Sequence, residues 1–553
     1  MMDRNSSLVQ GHPLFDSTEL VTLAERHGNL AAWRHLIGKG GPAAIKGVTG
    51  DFAVGFHDAV GRGFLAVDRF AVCSLCYCVD GGQLRFATRA DELANASTEI
   101  DLQAIFDYLY FHVIPSPRTI FKGIYRLSPG HYAVVENGVV TVSPYWVAEF
   151  PEAPRPVFSE LRAEFRQLLH DAVAGQLDDG KPGCFLSGGT DSSTVAGMIG
   201  EVAGRPAATY SIGFEAEGYD EMEYARIAAR HFKTEHHEYY VTPGDLVRSI
   251  ADVAQHYDQP FGNSSALPAY YCAKMAREDG VTRILAGDGG DELFGGNSRY
   301  AKQKVFGFYD AVPGPIRQAL LEPLLLKTPL GRLPLARKGV SYIQQAKEPM
   351  PDRNEQYNML HRLGIGEIFT PDFLGTVSLD APIKQQRAVW AQARTGSTTN
   401  RELAFDWRYT LAECDLPKVV GTTELAGIEV GFPMLDARLL EFSMRLPVSY
   451  KLKGLKLRWF FKEALRGFLP DEILIKKKQG FGLPFGVWTA KNAALKALAE
   501  DSVRGLVDRR ILRADFVDAL FKRHLYDHPG YYGEMIWISM MLEQWLRGKN
   551  IRA

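Results

Sequence analysis

The sequence has few cysteines, no long apolar run and almost no net charge. No apolar run reaches the roughly 18–20 residues of a membrane-spanning helix, and the stretch Met1 to Ser7 lacks the apolar region of a signal peptide. Lysine and arginine total 63 and aspartate and glutamate 65, a net charge of −2, so no overall basic field attracts nucleic acid. With only six cysteines in 553 residues, we expect a cytoplasmic protein with reduced thiols and neither a membrane nor a nucleic-acid partner.

Three of the cysteines are closely spaced, as Cys73-x-x-Cys76-x-Cys78. This spacing is reminiscent of a metal site, but no second cysteine or histidine pair of matching spacing follows it. The sequence therefore predicts a core strand that carries cysteines.

The length predicts two or three domains, since domains usually have about 100–200 residues. Residues 1–150 are rich in short strands, with a helical pattern from Ser17 to Trp33 and a hairpin that turns at Asn137-Gly138. In residues 158–553, apolar strands first alternate with helices and a helical part follows. The fold class expected is α/β, with a β-rich N-terminal unit and a doubly wound parallel sheet in the second.

One short stretch of the second unit has the pattern of a phosphate-binding loop. An apolar strand end, Cys184 to Leu186, is followed by small and hydroxyl residues and then by a helix. Glycines permit close backbone approach, and the free N–H groups of a helix N-terminus favour an anion. The residues of this loop are Ser187, Gly188, Gly189, Thr190, Asp191 and Ser192. The alternative is a surface turn in which Asp191 or Ser192 caps a helix.

A second glycine-rich loop follows another predicted strand. It carries three carboxylates within five residues, Asp288, Asp291 and Glu292, which repel one another unless a cation or a proton lies among them. Because parallel strands present their carboxyl ends at one edge of a sheet, Asp191 and Asp291 are expected to hold one Mg2+ against a pyrophosphate. The alternative for this loop alone is a solvated acidic turn.

Four segments then carry a family resemblance. Ser187–Ser192 resembles the pyrophosphate loop of N-type ATP pyrophosphatases, and it contains no Walker lysine. Together with Ser211–Phe214, Asp258–Phe261 and Gly287–Gly296, it follows the order and spacing of the synthetase domain of asparagine synthetases. β-Lactam synthetases and lasso-peptide cyclases share that domain. The resemblance implies ATP and Mg2+ as cofactors and adenylation of a substrate carboxylate.

The resemblance also implies roles for single residues. Leu186 and Ile212 would line the adenine, Gly287 and Gly289 would complete the nucleotide site, and Lys478 would steady the charge at the α-phosphate. Asp288 would be a candidate for substrate or base chemistry. The chain departs from the family at two positions near the expected substrate pocket, where Gln259 replaces a common acid and Ala286 a common serine.

The N-terminal unit is similar to a glutamine amidotransferase domain at Gly50–Asp58, Ala66–Phe70 and Phe86–Thr88. That domain uses a cysteine at the mature N-terminus as its nucleophile, whereas this sequence has Met2, and a thioether is not an acyl acceptor. The opening strands are also expected to be missing, because the helix at Ser17 begins early. We therefore expect a degenerate glutaminase domain.

Three functions remain open at this point. The first is an ATP-dependent amide ligase of the asparagine synthetase type, in which a carboxylate is adenylated and ammonia or an amine attacks. The second is a cyclase for a natural product or ribosomal peptide, favoured by the missing cysteine and by the neutral Gly431, Gln259 and Val420. The third is a regulatory homologue that binds ATP without turnover. The expected partners are a small-molecule or peptide carboxylate, with an amine donor or a leader-peptide-binding protein.

Overall fold

The computed structural model describes residues 7–58, 61–152, 157–310, 312–317, 319, 322–323, 334–476 and 482–549. In the N-terminal unit, the described strands form two larger antiparallel sheets and one short pair, with orders β1-β4-β5-β9-β10, β7-β6-β8 and β2-β3. The strands are β1 (Ser7–Gly11), β2 (Leu14–Phe15), β3 (Val48–Thr49), β4 (Phe52–His57), β5 (Gly63–Val67), β6 (Cys76–Asp80), β7 (Gln83–Ala87), β8 (Tyr125–Arg126), β9 (His131–Glu136) and β10 (Val139–Pro144).

Two sequence-based expectations for this unit need correction. The helical pattern from Ser17 to Trp33 forms two helices, α1 (Thr18–His27) and α2 (Asn29–Gly40), because Gly28 between them has a φ of 82°. Ser17 caps α1 by accepting a hydrogen bond from the Leu20 N–H. A strand does precede this helix: β1 pairs with β4 along its whole length, so the opening of the unit is not strand-free as expected.

The predicted hairpin between β9 and β10 is present. Val139 lies opposite Glu136, and the two residues between them, Asn137 and Gly138, have φ values of 51° and 78°. A two-residue turn with positive φ at both positions matches the twist of the strands that it joins.

The second unit contains the expected parallel sheet. Its described strands, in the order β13-β12-β11-β14-β15, are all paired in parallel. They are β11 (Gly183–Phe185), β12 (Ala208–Phe214), β13 (Glu235–Val241), β14 (Arg283–Leu285) and β15 (Glu429–Gly431). The chain leaves β11 toward β12 on one side, and the later β14 pairs on its other side. This reversal of strand order makes a crevice at the carboxyl ends of β11 and β14, where open α/β sheets bind ligands.

Helices surround this sheet and continue beyond it. A short antiparallel pair, β16 (Leu452–Lys453) and β17 (Lys456–Leu457), lies among them. The described α-helices after α2 are α3 (Leu102–Phe111), α4 (Phe158–Ala174), α5 (Thr190–Ala203), α6 (Met222–Phe232), α7 (Pro243–His256), α8 (Ala266–Glu278), α9 (Gly290–Phe294), α10 (Ser298–Asp310), α11 (Gly314–Ile316), α12 (Pro334–Lys347), α13 (Met359–Leu363), α14 (Ile365–Ile368), α15 (Pro371–Leu374), α16 (Ala381–Gln392), α17 (Thr398–Asp406), α18 (Leu416–Ala426), α19 (Ala437–Arg445), α20 (Val448–Lys451), α21 (Trp459–Ala464), α22 (Asp471–Ile475), α23 (Phe485–Lys491), α24 (Ala493–Asp508), α25 (Ala514–Ala519), α26 (Leu525–Asp527) and α27 (Pro529–Gly548).

The short 3₁₀ and π segments complete the described elements. The 3₁₀ segments are Pro42–Gly47, Asp352–Tyr357 and Pro433–Leu435, and the π-helical ones are Trp407–Asp415 and Leu520–His524. Among the described residues, no helix combines the length and the apolar character that a membrane crossing requires.

The largest hydrophobic core is shared by the two units. Helix α3 of the N-terminal unit is almost wholly buried and packs in one cluster with the C-terminal helix α27. The Tyr108 hydroxyl donates to the carbonyl of Ile538 at 2.8 Å. The N-terminal unit is therefore packed into the rest of the molecule.

Candidate active site

The loop after β11 is shaped by Gly188. Its φ is 67°, and a Cβ there would lie 2.4 Å from the backbone nitrogen of Ala225, so only glycine fits. The Ser187 N–H donates to Ser192 Oγ at 3.2 Å and closes the loop. Helix α5 begins directly afterwards, with Gly189 as its N-cap and without a side-chain cap. Its first N–H groups are thus directed toward the crevice at the end of β11.

The loop after β14 packs directly against the first loop. A Cβ on Gly287 would lie 2.7 Å from the Ser192 nitrogen, and a Cβ on Gly290 would lie 2.2 Å from Asp191 Oδ1. Gly289 has a φ of 104°, in the left-handed region that glycine tolerates. The glycines therefore allow the two loops to approach one another at backbone distance.

Asp191 and Asp291, predicted to share a cation, converge on the buried guanidinium of Arg458. Arg458 Nη1 lies 2.9 Å from Asp191 Oδ2 and 2.6 Å from Asp291 Oδ1, and Nη2 also contacts Asp191. The same Nη1 donates to Thr190 Oγ1 at 2.7 Å. Burial opposes the charge of Arg458, but the two carboxylates outweigh it and raise the pKa of the guanidinium.

The same geometry suits Mg2+ as well. Because carboxylate oxygens of Asp191 and Asp291 lie within 3 Å of one guanidinium nitrogen, one small cation could contact both residues. Two hard oxygen donors from separate loops are the ligand type that Mg2+ prefers. The residues therefore fit the ion, and Arg458 would share the carboxylates with it or give way to it.

A cavity of about 420 Å³ opens at these loops, a volume in the usual range for a small-molecule site. Tyr210, Pro268 and Cys272 contribute apolar surface to its wall. Gly188, although part of the predicted loop, does not line the cavity and packs against Tyr224 and Ala225 instead. The predicted residues that line the cavity are Leu186, Ser187, Gly189, Thr190, Asp191, Ser192, Ile212, Gly287, Asp288, Gly289 and Asp291. Their individual roles stay predictions.

Further cations lie at the phosphate-loop end of the cavity. The predicted Lys478 falls in 477–481, outside the described residues. The neighbouring Lys476 does line the cavity, with Nζ 3.2 Å from Glu221 and 3.4 Å from the Gly188 carbonyl oxygen. Burial lowers the pKa of Lys476, and burial together with Arg458 lowers that of Lys462, which also lines the cavity.

Asp288 of the second loop lines the cavity together with two residues that sequence reasoning missed, Asp415 and Lys418. Lys418 Nζ lies 3.2 Å from Asp415 Oδ1 and 3.5 Å from Asp288 Oδ1. Burial raises the pKa of Asp288, and Lys418 offsets this only in part. No local sequence signal marked these residues, since Asp288 and Lys418 are 130 positions apart.

The neutral replacements singled out in the sequence do not line this cavity, although Gln259 and Ala286 were expected near the substrate pocket. Gln259 is buried and accepts a hydrogen bond from the Ile120 N–H at 3.2 Å, so it joins the two units. Gly431 lies on β15, where a Cβ would meet Gln176 Oε1 at 2.6 Å. Val420 lines a separate cavity of about 150 Å³. Ala286 is fully buried behind the loop.

The clustered cysteines are core residues, as expected, but only Cys76 and Cys78 lie on a strand, β6, and Cys73 precedes it. Cys73, Cys76 and Cys78 are buried and free. Burial raises the pKa of the Cys73 thiol well above its usual value, which disfavours the reactive thiolate.

A parallel sheet with two closely packed glycine loops, paired aspartates and a cavity at its switch point defines an open α/β protein with a ligand site at the carboxyl ends of its strands. The family model described as asparagine synthase matches residues 164–547, and that described as glutamine amidotransferase domain matches residues 33–146. The chain therefore belongs to the asparagine synthase family, which confirms the resemblance read from the sequence. This membership supports ATP-dependent amidation as its chemistry.

Relatives of this chain include the glutamine-hydrolysing asparagine synthetase 1 of Bacillus subtilis, 25% identical over 492 residues, or 87% of this chain and 74% of that protein. A putative glutamine-hydrolysing asparagine synthetase 2 of Methanocaldococcus jannaschii is 36% identical over 250 residues, 44% of this chain and 48% of that protein. The amidase chyE of Penicillium rubens is 24% identical over 513 residues, 83% of this chain and 72% of that protein.

Proposed function

We propose that this protein activates a carboxylate with ATP as an acyl-adenylate, releases pyrophosphate, and forms an amide when an amine attacks the activated carbonyl. The observation that carries the proposal is the convergence of Asp191 and Asp291 from two loops on one cavity. A site for bare phosphate would not need acids, whereas a site for ATP with its cation does.

The chain's own groups supply binding and orientation. The N–H groups at the start of α5 and the hydroxyls of Ser187 and Ser192 would hold the pyrophosphate, and Arg458 and Lys476 would neutralise charge that develops on it. Leu186 and Ile212 would enclose the adenine. Mg2+, when bound by Asp191 and Asp291, supplies positive charge next to the phosphate oxygens. Holding the reactants together then accounts for much of the rate.

The origin of the amine divides the two candidate activities. Ammonia as the nucleophile would give an asparagine synthetase-like reaction, and an amine on the substrate itself would give ring closure, as in cyclases. Among the described residues that line the cavity, the arginine is Arg458, and its guanidinium is already paired with the carboxylates of Asp191 and Asp291. The second carboxylate of a free aspartate would therefore have to pair with a lysine of the cavity, such as Lys462 or Lys476.

ATP–pyrophosphate exchange in the presence of Mg2+ tests the proposal. Aspartate, glutamate and a pool of small peptides would be scanned, with Asp191→Ala as the control variant. Exchange with aspartate alone would support the synthetase, and exchange with a peptide or another carboxylate alone would support the cyclase. If ATP binds and no carboxylate supports exchange, a regulatory homologue is the better description.

A further inference from the structure

The part of the cavity wall next to Asp288 is built by an unusual segment of helix. Residues Trp407–Asp415 form a π-helix that runs directly into α18. In a π-helix each turn closes between residues five apart, so Thr410 and Asp415 lie on one face. Both line the cavity, as does Lys418 in the first turn of α18. Such segments are rare and are frequently found at functional sites.

This wall contains more carboxylate than cation. Lys418 is the lysine between Asp288 and Asp415, at 3.5 Å and 3.2 Å. All three side chains are largely buried, with exposed fractions of 15% for Lys418, 23% for Asp288 and 28% for Asp415. One positive charge is therefore paired with two negative charges, and solvent screens them only weakly.

The other cations among the described lining residues act on other groups. Arg458 binds Asp191 and Asp291, Lys476 lies beside Glu221, and the charges of Arg458, Asp191 and Asp291 act on Lys462. A substrate carboxylate would consequently be repelled by Asp288 and Asp415 and attracted by these cations. A substrate cation would be drawn to the wall.

We propose that Asp415, Lys418 and Asp288 form the subsite that recognises the attacking amine, which arrives as a primary ammonium group. This inference rests on the proposed function and names its acceptor class. Asp415 determines specificity for the cation, because its carboxylate is the one that the π-helix turns into the cavity. Lys418 is a positioning residue whose Nζ holds the two carboxylates close together, so that an ammonium group can lie against both.

The reaction at this subsite balances without a further reactant. The ammonium group gives one proton to a carboxylate of the wall, which frees the nitrogen lone pair. That pair forms the C–N bond, the bond from the carbonyl carbon to the AMP oxygen breaks, and AMP leaves with the electron pair. The nitrogen then loses its remaining extra proton to solvent, and the amide is neutral.

The test separates the amine step from adenylation. Exchange identifies a carboxylate that the enzyme activates, since it needs no amine. Amide formation is then measured with ammonium chloride, methylamine and propylamine as probes. For Asp415→Asn, which keeps the shape and removes the charge, we expect the KM for the amine to rise at least tenfold, while the KM for the carboxylate in exchange changes less than threefold.

Two controls keep the result interpretable. Asp91→Asn alters a carboxylate of similar burial that pairs with Lys549 at 2.7 Å outside the cavity, and it should leave both KM values unchanged. Lys418→Met should raise the KM for the amine as Asp415→Asn does, because two buried carboxylates without their shared cation take up a proton and lose charge. Lys418→Arg keeps the cation and should leave the KM for the amine near the wild-type value, which a purely structural defect would not explain.

The outcomes distinguish the amine subsite from the proposed adenylation on which it rests. Exchange in the wild type with an unchanged amine KM in Asp415→Asn would overturn the amine subsite and leave adenylation standing. An equal rise of both KM values would also overturn it, since that indicates general damage to the cavity. Absence of exchange with every carboxylate would remove the proposed function and the inference together.

Discussion

The buried contact of Arg458 with Asp191 and Asp291 makes a prediction about stability. In Arg458→Met the two carboxylates lose their shared cation, while the side-chain volume is largely retained. Their side chains are 18% and 19% exposed, so water screens them only in part. We expect the variant to be less stable than the wild type in the absence of divalent cations.

The size of the loss follows from the removal of a buried cation that two carboxylates share. Removing one partner of a buried ion pair costs about 3–5 kcal/mol. Because the aspartates retain some exposure, we expect about 3 kcal/mol. Mg2+ should recover most of this loss, since a ligand at 100 times its dissociation constant stabilises the folded state by about 2.7 kcal/mol. It should stabilise the variant more than the wild type, in which Arg458 competes for the same oxygens.

Urea unfolding followed by tryptophan fluorescence, in EDTA and in MgCl2, measures the loss of stability and its recovery by Mg2+. Both are taken from the first unfolding transition. Arg466→Met is the matched control: Arg466 pairs with Glu463 at 3.0 Å but is 53% exposed. An exposed pair contributes at most about 1 kcal/mol. If Arg458→Met in EDTA were as stable as the control, or if Mg2+ stabilised the wild type more, the assignment of one shared cation position would be refuted.

Three further predictions concern the loops and the core. Gly188→Ala should abolish ATP binding in calorimetry, because its Cβ would lie 2.4 Å from a backbone nitrogen. The control Gly189→Ala, whose Cβ would have its nearest contact at 3.3 Å, should weaken ATP binding less than tenfold. Equal losses of ATP binding in the two variants would contradict the steric argument. Asp191→Asn should lower exchange at least 100-fold and remove its dependence on Mg2+ concentration, and a residual normal dependence would assign the ion elsewhere. Lys451 is fully buried, and burial lowers its pKa to about 7. Between about pH 7 and 10.5 the unfolded chain therefore binds more protons than the folded one, so the free energy of unfolding should rise across this range by at most about 5 kcal/mol. The urea midpoints of Lys451→Met should lack that rise.

The local features of this protein could be predicted from the sequence, because short-range chemistry determines them. The strand, glycine turn and helix around Gly188 follow from residues adjacent in the chain, as does the hairpin at Asn137-Gly138. Alternating strands and helices then implied that Asp191 and Asp291 meet at one sheet edge, and the distances to Arg458 place them together. The break at Gly28 was missed, because a helical pattern does not reveal a positive φ.

The remaining parts of the site depend on contacts between distant segments. Arg458 reaches Asp191 across 267 positions, and Lys418 reaches Asp288 across 130. Gln259 was expected near the substrate but bonds to Ile120 of the N-terminal unit instead. The two loops and the family could be recognised from the sequence alone, because each loop and each family segment consists of consecutive residues. Only the tertiary structure decided which cations neutralise the aspartates and which carboxylates face the cavity, because burial and charge pairing arise when remote segments pack together.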